Sequence, residues 1–319
     1  MGTLTLEQYE DVKIDVPWGY ISGRWYGNRA ERPILAIHGW VDNLGTFDPL
    51  IPLLPDYLGI LCIDLPGHGR SSHYPSGVRY SSEEYIHVIP RIMRRYGWQK
   101  VSLMGHSLGG FLGFCYTSLA PETVDMVICL DLLLPPFLKP NDTIKWIRLS
   151  QEKHLELDEQ IGQEKPVRSK KDLVKLIEKE SFKSISPSVA HHLLHRVAQH
   201  SETHPDKFIS TRDDRVKYFT KLYLSSKELA AKMAERLNPK PFLILKGSKS
   251  ESIGPHMSEV ISLMGRNNPD FQFHEVEGTH HFHLLAAKEC ARYVVPFIRR
   301  YHTPGKDPVS VRSTERSKL

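Results

Sequence analysis

The segment Gly105-His106-Ser107-Leu108-Gly109 directly follows the apolar run Val101-Ser102-Leu103-Met104 and directly precedes a helix-like stretch from Gly110 to Leu119. A serine flanked in this way at a strand-to-helix turn leaves a chain few folds to adopt. The turn forces strained backbone angles on the serine, so the residues two before and two after it must be small, as Gly105 and Gly109 are. It also lifts the Ser107 hydroxyl to the top of a sheet and aims the Leu108 backbone N–H at the same point from the start of a helix.

The other apolar runs recur in the order an α/β sheet requires. Strands are expected near 12–16, 20–26, 34–38, 60–64, 101–104, 126–131, 242–245 and 271–276, and helices at about 82–96, 108–119, 255–263 and 284–299. The first pair of strands reads as a hairpin around Trp18-Gly19, and the later ones, joined through helices, as parallel. Between Pro135 and Pro239 the pattern turns helical, as in Leu173, Leu176 and Ile177 and then Val189, Leu193, Leu194 and Val197, with no convincing strand. The expected organisation is a sheet core at 1–134 and 239–303, a helical cap at 135–238 inserted after the sixth strand, and a flexible tail at 304–319. A cap so placed covers the strand ends where open α/β sheets bind ligands.

With 319 residues, 40% hydrophobic and 25% charged, the chain builds a substantial core. Its excess of basic over acidic residues, 42 against 37, is too small to imply nucleic-acid binding. Cys62, Cys115, Cys129 and Cys290 lack the spacing of a metal site and read as buried reduced thiols. No apolar run is long enough for a transmembrane span, and the first residues lack the features of a signal peptide. The sequence stops at Ser317-Lys318-Leu319, the tripeptide read by the peroxisomal import receptor, after a polar, basic stretch expected to keep it accessible. A peroxisomal address follows as an expectation, with a cytoplasmic pool left open.

Two further segments belong with the serine turn. His38-Gly39-Trp40 ends the third strand, where the glycine lets the chain pass close to Ser107 and the Trp40 N–H becomes a second oxyanion donor beside that of Leu108. Gly278-Thr279-His280-His281-Phe282-His283-Leu284 places histidines on a loop after the last strand, late enough to supply a general base. With Asp64-Leu65-Pro66-Gly67-His68-Gly69-Arg70-Ser71-Ser72, these motifs resemble an α/β-hydrolase over nearly the whole chain outside the tail. Pro17-Trp18-Gly19, His38-Gly39-Trp40-Val41-Asp42-Asn43 and the run Phe47 to Leu54 narrow the likeness to the serine hydrolase-like, kraken-like proteins. The resemblance implies a lidded serine hydrolase on an eight-stranded, mostly parallel sheet with helices on both faces. It also makes the Asp64–Ser72 segment a shaping loop rather than a catalytic one.

Triad order in such a fold is serine, acid, histidine. Matching His283-Leu284 to the usual family ending makes His280 the base, whereas counting from Gly278 selects His281. For the acid, many relatives carry Gly-x-x-Asp after the seventh strand, but Gly247-Ser248-Lys249-Ser250 puts a serine there. Asp131, at the end of the sixth strand, and Glu251 are the alternatives; a buried carboxylate at a strand end needs a partner, which favours Asp131. His191, His192 and His195 have helical spacing without a nearby carboxylate and read as a helix face, and the basic run 165–171 reads as solvated surface.

The expected function is hydrolysis of a carboxylic ester or thioester by Ser107, His280 and Asp131, with oxyanion donors Trp40 and Leu108 and no metal or organic cofactor. The substrate would be a small molecule such as a lipid ester or acyl thioester. The rival is a hydrolase-fold binding protein without turnover, for which the displaced acid is the argument.

Overall fold

A computed structural model of the chain describes residues 2–304 apart from 132, 133, 136, 138, 220–225, 238, 239 and 267. The tail expectation, including Ser317-Lys318-Leu319, therefore lies outside the described residues except for Pro304. Ten strands are described, in chain order β1 (Tyr9–Val16), β2 (Gly19–Gly27), β3 (Ile34–Ile37), β4 (Gly59–Ile63), β5 (Val101–His106), β6 (Val124–Leu130), β7 (Ala198–His200), β8 (Phe208–Ser210), β9 (Phe242–Gly247) and β10 (Phe271–Val276).

Eight of them form one sheet in the order β1-β2-β4-β3-β5-β6-β9-β10. The hairpin around Trp18-Gly19 pairs β1 with β2 antiparallel, β2 joins β4 antiparallel, and every later pair is parallel. Successive side chains of a strand face opposite sides of the sheet, so continuous apolar runs give a sheet buried on both faces. Leu35, Ile37, Leu61, Ile63, Val127 and Cys129 enter one core, and Ile34, Ala36, Ile60, Cys62, Met126 and Ile128 enter the other.

The first core is closed by α1 (Ser82–Tyr96) and α2 (Leu108–Leu119). Ser81 caps α1 by accepting the Glu84 N–H, and Gly97 ends it in the left-handed region at φ 72°. Between β6 and β9 lie α3 (Pro140–Asp158), α4 (Lys170–Glu180), α5 (His191–Val197) and α6 (Lys227–Arg236). After β9 come α7 (Ser258–Gly265), α8 (Phe282–Leu285) and α9 (Ala287–Tyr301), the last covering the second core with Cys290, Val294, Phe297 and Ile298.

Three details differ from the sequence expectation. The inserted segment does contain strands: β7 and β8 pair antiparallel over Ala198–His200 and Phe208–Ser210. Runs so short carry too few alternations to register as a pattern. The helix expected at 284–299 is broken at Ala286, whose φ −123° and ψ 45° separate α8 from α9. Finally, α6 packs with α2 and α7, its Ala230, Met233 and Ala234 joining the first core, so the last helix of the 135–238 interval lies with the sheet.

The rest of the insertion is fastened by charge. Arg196 of α5 and Asp64 at the end of β4 are both fully buried and meet at 2.7 Å. Asp64 also accepts the N–H groups of Leu44 and Arg70, each at 2.9 Å. That assigns the Asp64–Ser72 segment a structural job. Lys165, in the basic run, is likewise tied down, donating to the Ser210 and Arg212 carbonyls at 3.1 and 3.2 Å. Among the described residues the α5 histidines form no ligand cluster, although a carboxylate the sequence did not suggest is near: His192 faces Asp48 at 3.5 Å, and His191 lies beside it, its Nδ1 on the Ser188 carbonyl.

Candidate active site

Ser107 stands between β5 and α2 with φ 49° and ψ −115°, a backbone strained by roughly 1–3 kcal/mol for a residue with a side chain. Its neighbours make the turn feasible. A Cβ at Gly105 would come within 2.2 Å of the Gly109 backbone, and one at Gly109 within 1.9 Å of the Ile37 carbonyl. The turn is then pinned by Ser107 N–H donating to the Leu130 carbonyl (2.9 Å) and Gly109 N–H to the His38 carbonyl (3.1 Å). Leu108 opens α2, so its N–H is among the first-turn donors that no intrahelical carbonyl takes.

His280 comes from the loop after β10. Gly278 turns that loop at φ 144°, and its Thr279 carbonyl sits so near Gly247 that a Cβ there would approach to 2.6 Å. This close passage brings the His280 Nε2 to 2.9 Å from the Ser107 Oγ. On the other side of the ring, Nδ1 lies 2.5 Å from Asp131 Oδ2 and 2.9 Å from the Ser252 hydroxyl. Asp131 follows β6 at φ 65° and is fully buried. Its Oδ1 accepts the Gly247 N–H at 2.6 Å, and its Oδ2 also accepts the Ser250 hydroxyl.

Thus the residue at the position where a carboxylate was expected, Ser250, donates to the carboxylate on the adjacent strand. Glu251 is exposed on the wall of the cavity, and His280 takes Asp131 instead. His281 instead bonds the Ser184 hydroxyl at 2.6 Å. Sequence reasoning missed the hydroxyls of Ser250 and Ser252 beside Asp131 and His280; the first had a signal, since the resemblance puts an aspartate at its position, and the second had none.

The histidines around this chain are held neutral by burial. Burial pushes His106, His281 and His283 well below the ordinary imidazole range, with neighbouring histidines adding to the effect. Asp42, also buried, is pushed up to about 6 by loss of solvent, against the lowering pull of His38 and the Asn43 N–H. Elsewhere burial lowers His68 strongly and His302 to about 4.

A pH dependence of stability follows. His68 and His302 take up protons in the unfolded chain at its ordinary pKa of about 6.5 but resist them when folded. Their contribution is complete above that pH and is lost as pH falls towards the folded pKa, at roughly 1 kcal/mol per pH unit for each net proton. Asp42 works in the opposite sense between its raised folded value and its unfolded one. Denaturant unfolding followed from pH 7.5 down to 5 is expected to show a falling free energy; a flat or rising profile contradicts it.

Ser107, His280, Trp40 and Glu251 line a cavity of about 730 Å³, within the range of small-molecule sites. The inserted segment supplies another part of its wall, including Ile177, Phe182, Ile185 and Leu193. Trp40 is fixed through its indole N–H, which donates to the Val216 carbonyl at 2.8 Å. A Cβ at Gly39 would stand 3.2 Å from that of Ser107, which is how closely the β3 loop approaches the serine. Among the described residues, no helix is long and apolar enough to cross a membrane.

Comparison with known proteins agrees with this architecture. Residues 32–287 match the family described as alpha/beta hydrolase fold. A probable serine hydrolase of Drosophila melanogaster is 32% identical over 295 residues, 92% of this chain and 88% of the fly protein. Human serine hydrolase-like protein 2 is 31% identical over 303 residues, 92% and 95% of the two chains. Among solved structures, a hypothetical protein from Pseudomonas aeruginosa superposes with a TM-score of 0.79 at 25% identity, covering 91% of this chain and all of that one. The thioesterase domain of the curacin biosynthetic pathway shares the fold at a TM-score of 0.72 and 19% identity, covering 90% of this chain and 99% of the domain. The chain belongs to the α/β-hydrolase family and is similar to its serine hydrolase-like members.

Proposed function

We propose that this protein hydrolyses carboxylic esters or thioesters through an acyl-enzyme. The observation that supports it is the continuous hydrogen-bonded chain from Ser107 through His280 to Asp131 at the wall of a cavity sized for a small acyl substrate. Ser107 Oγ attacks the carbonyl carbon while His280 Nε2 takes its proton. The backbone N–H groups of Trp40 and Leu108 receive the oxyanion. The imidazolium, stabilised by Asp131, passes the proton to the departing alcohol or thiol. Water then enters, His280 removes its proton, and the carboxylic acid leaves with Ser107 restored.

Residues from the insertion line the same cavity as the serine, and we assign residues 135–219 to a cap over a sheet core formed by 1–134 and 239–303. Ile177, Phe182, Ile185 and Leu193 give that cap an apolar inner surface suited to an acyl chain. The name of the curacin thioesterase domain keeps thioesters beside oxygen esters as substrates. We further propose a peroxisomal location through Ser317-Lys318-Leu319; loss of peroxisomal import on deleting this tripeptide tests it.

Labelling with a fluorophosphonate probe tests the chemistry, because the probe reacts only with an activated serine. Folded protein is expected to label and Ser107→Ala, shown to fold by circular dichroism, to stay unlabelled. Folded protein that fails to label, or a Ser107→Ala variant that still labels, overturns the assignment and leaves a binding protein without turnover.

A further inference from the structure

Beside the serine lies a second cluster of side chains, Asp42, His106 and His281, all buried, whose nearest ligand atoms lie within 4.8 Å of one another. None of the hydrolytic steps proposed above uses it. Its hydrogen bonds fix which atoms face inward. His106 Nε2 lies 3.2 Å from the His280 carbonyl, an atom that only accepts, so the ring proton is on Nε2 and Nδ1 carries a lone pair. Ser184 gives its hydroxyl proton to the Ser181 carbonyl at 2.6 Å, so it accepts from His281 Nδ1, and His281 Nε2 carries a lone pair too.

Both of these nitrogens stand near the same oxygen. Asp42 Oδ2 is 3.5 Å from His106 Nδ1 and 3.9 Å from His281 Nε2. Neither Asp42 Oδ2 nor His106 Nδ1 has a hydrogen-bond partner, although both are buried. The other carboxylate oxygen is occupied, accepting the Asn43 N–H at 2.8 Å. Acceptors facing one another with no donor between them repel in a low-dielectric setting, and the two unpartnered ones, Asp42 Oδ2 and His106 Nδ1, each cost about 1–3 kcal/mol. A cation removes that cost. Zinc bound by imidazole and carboxylate lies about 2.0–2.2 Å from each atom, which sets tetrahedral ligands roughly 3.3 Å apart, so the three side chains, now 3.5–4.8 Å apart, would draw in around the ion.

We propose that Asp42, His106 and His281 form a binding site for a divalent first-row transition-metal ion, with the fourth position open to the cavity. The donor set, two imidazoles and one carboxylate with an outer-shell partner on each ring, is that of a three-ligand site with an exchangeable position. All three ligands line the same cavity as Ser107, so an ion there meets whatever occupies the pocket. It also braces the loop after β3, in which Val41 is held at φ 53° between Trp40 and Asp42. The site does not depend on Ser107 turning over substrate.

Zinc is the probe. Metal-stripped protein is titrated with Zn²⁺ by calorimetry and by thermal unfolding, and bound metal is counted after desalting. Wild-type chain is expected to hold about one equivalent and to unfold at higher temperature with it. Asp42→Asn is expected to fold well, since its amide donates to the His106 lone pair, and to lose both the tight equivalent and the thermal shift. Ser184→Ala, which touches no metal ligand atom directly but frees the His281 ring, is expected to weaken binding by roughly 10–100-fold. No tight equivalent in wild type means that the cluster holds a proton and overturns the proposal. So does zinc affinity unchanged in both Asp42→Asn and Ser184→Ala, which means that other surface histidines bind the ion.

Discussion

Turnover of an ester by the Asp131→Asn variant is expected to fall by about 10⁴ in kcat, close to 5 kcal/mol of transition-state stabilisation. The size of the effect comes from a tautomer. Gly247 N–H fixes one side-chain oxygen of residue 131 as an acceptor at 2.6 Å, so the amide nitrogen of the asparagine takes the place of Oδ2 and points its protons at His280. His280 Nδ1 must then accept, which moves the ring proton to Nε2, the atom facing Ser107 at 2.9 Å, and a protonated Nε2 takes no proton from the serine. Glu251→Gln, at an exposed position, is expected to leave kcat within about twofold. Ser107→Ala is expected to lose on the order of 10⁶. Steady-state kinetics on short p-nitrophenyl esters separates the outcomes; a larger loss from Glu251→Gln than from Asp131→Asn moves the acid to Glu251.

For stability, the largest single loss is expected from Asp64→Ala, about 3–5 kcal/mol in denaturant unfolding. The variant leaves the fully buried Arg196 guanidinium without its carboxylate and the N–H groups of Leu44 and Arg70 without their acceptor. An unpaired buried charge costs several kcal/mol because nothing in the interior replaces its hydration. The same pair ties α5 of the insertion to the end of β4, so the loss also loosens the cavity wall. Replacing both partners, Asp64→Ala with Arg196→Met, is expected to recover part of the stability, since the stranded charge is gone. Additive losses in the double variant indicate that the pair is not the source of the effect.

Much of this was legible in the chain. Every strand of the main sheet was expected within a few residues of where it lies, because its central strands, buried on both faces, need apolar runs bounded by turns and its edge strands β1 and β10 keep an alternating pattern, both local properties. The serine turn was legible for the same reason: its strain falls on adjacent residues, and Gly105 and Gly109 are the chemical answer to clashes at 2.2 and 1.9 Å. The short β7–β8 ribbon and the break at Ala286 were not, being too brief to produce a period.

Alternatives stayed open wherever the answer depended on convergence. Nothing local to Asp131 or Glu251 says which reaches His280; that depends on the parallel register of β6 and β9, which sets Asp131 beside Gly247 and Ser250. Likewise, His280 and His281 are adjacent in sequence, and only the turn at Gly278 sends one ring to Ser107 and the other to Ser184. The Asp42, His106 and His281 cluster joins three separate segments and has no sequence spacing to read. The sequence by itself thus determined the sheet, the serine turn and the histidine-rich loop after the last strand, since backbone strain and burial act between neighbours. Tertiary structure alone decided which carboxylate and which histidine ring stand in line with Ser107, and which residues form the second cluster, since hydrogen bonds between distant segments exist only once the sheet has brought them within reach.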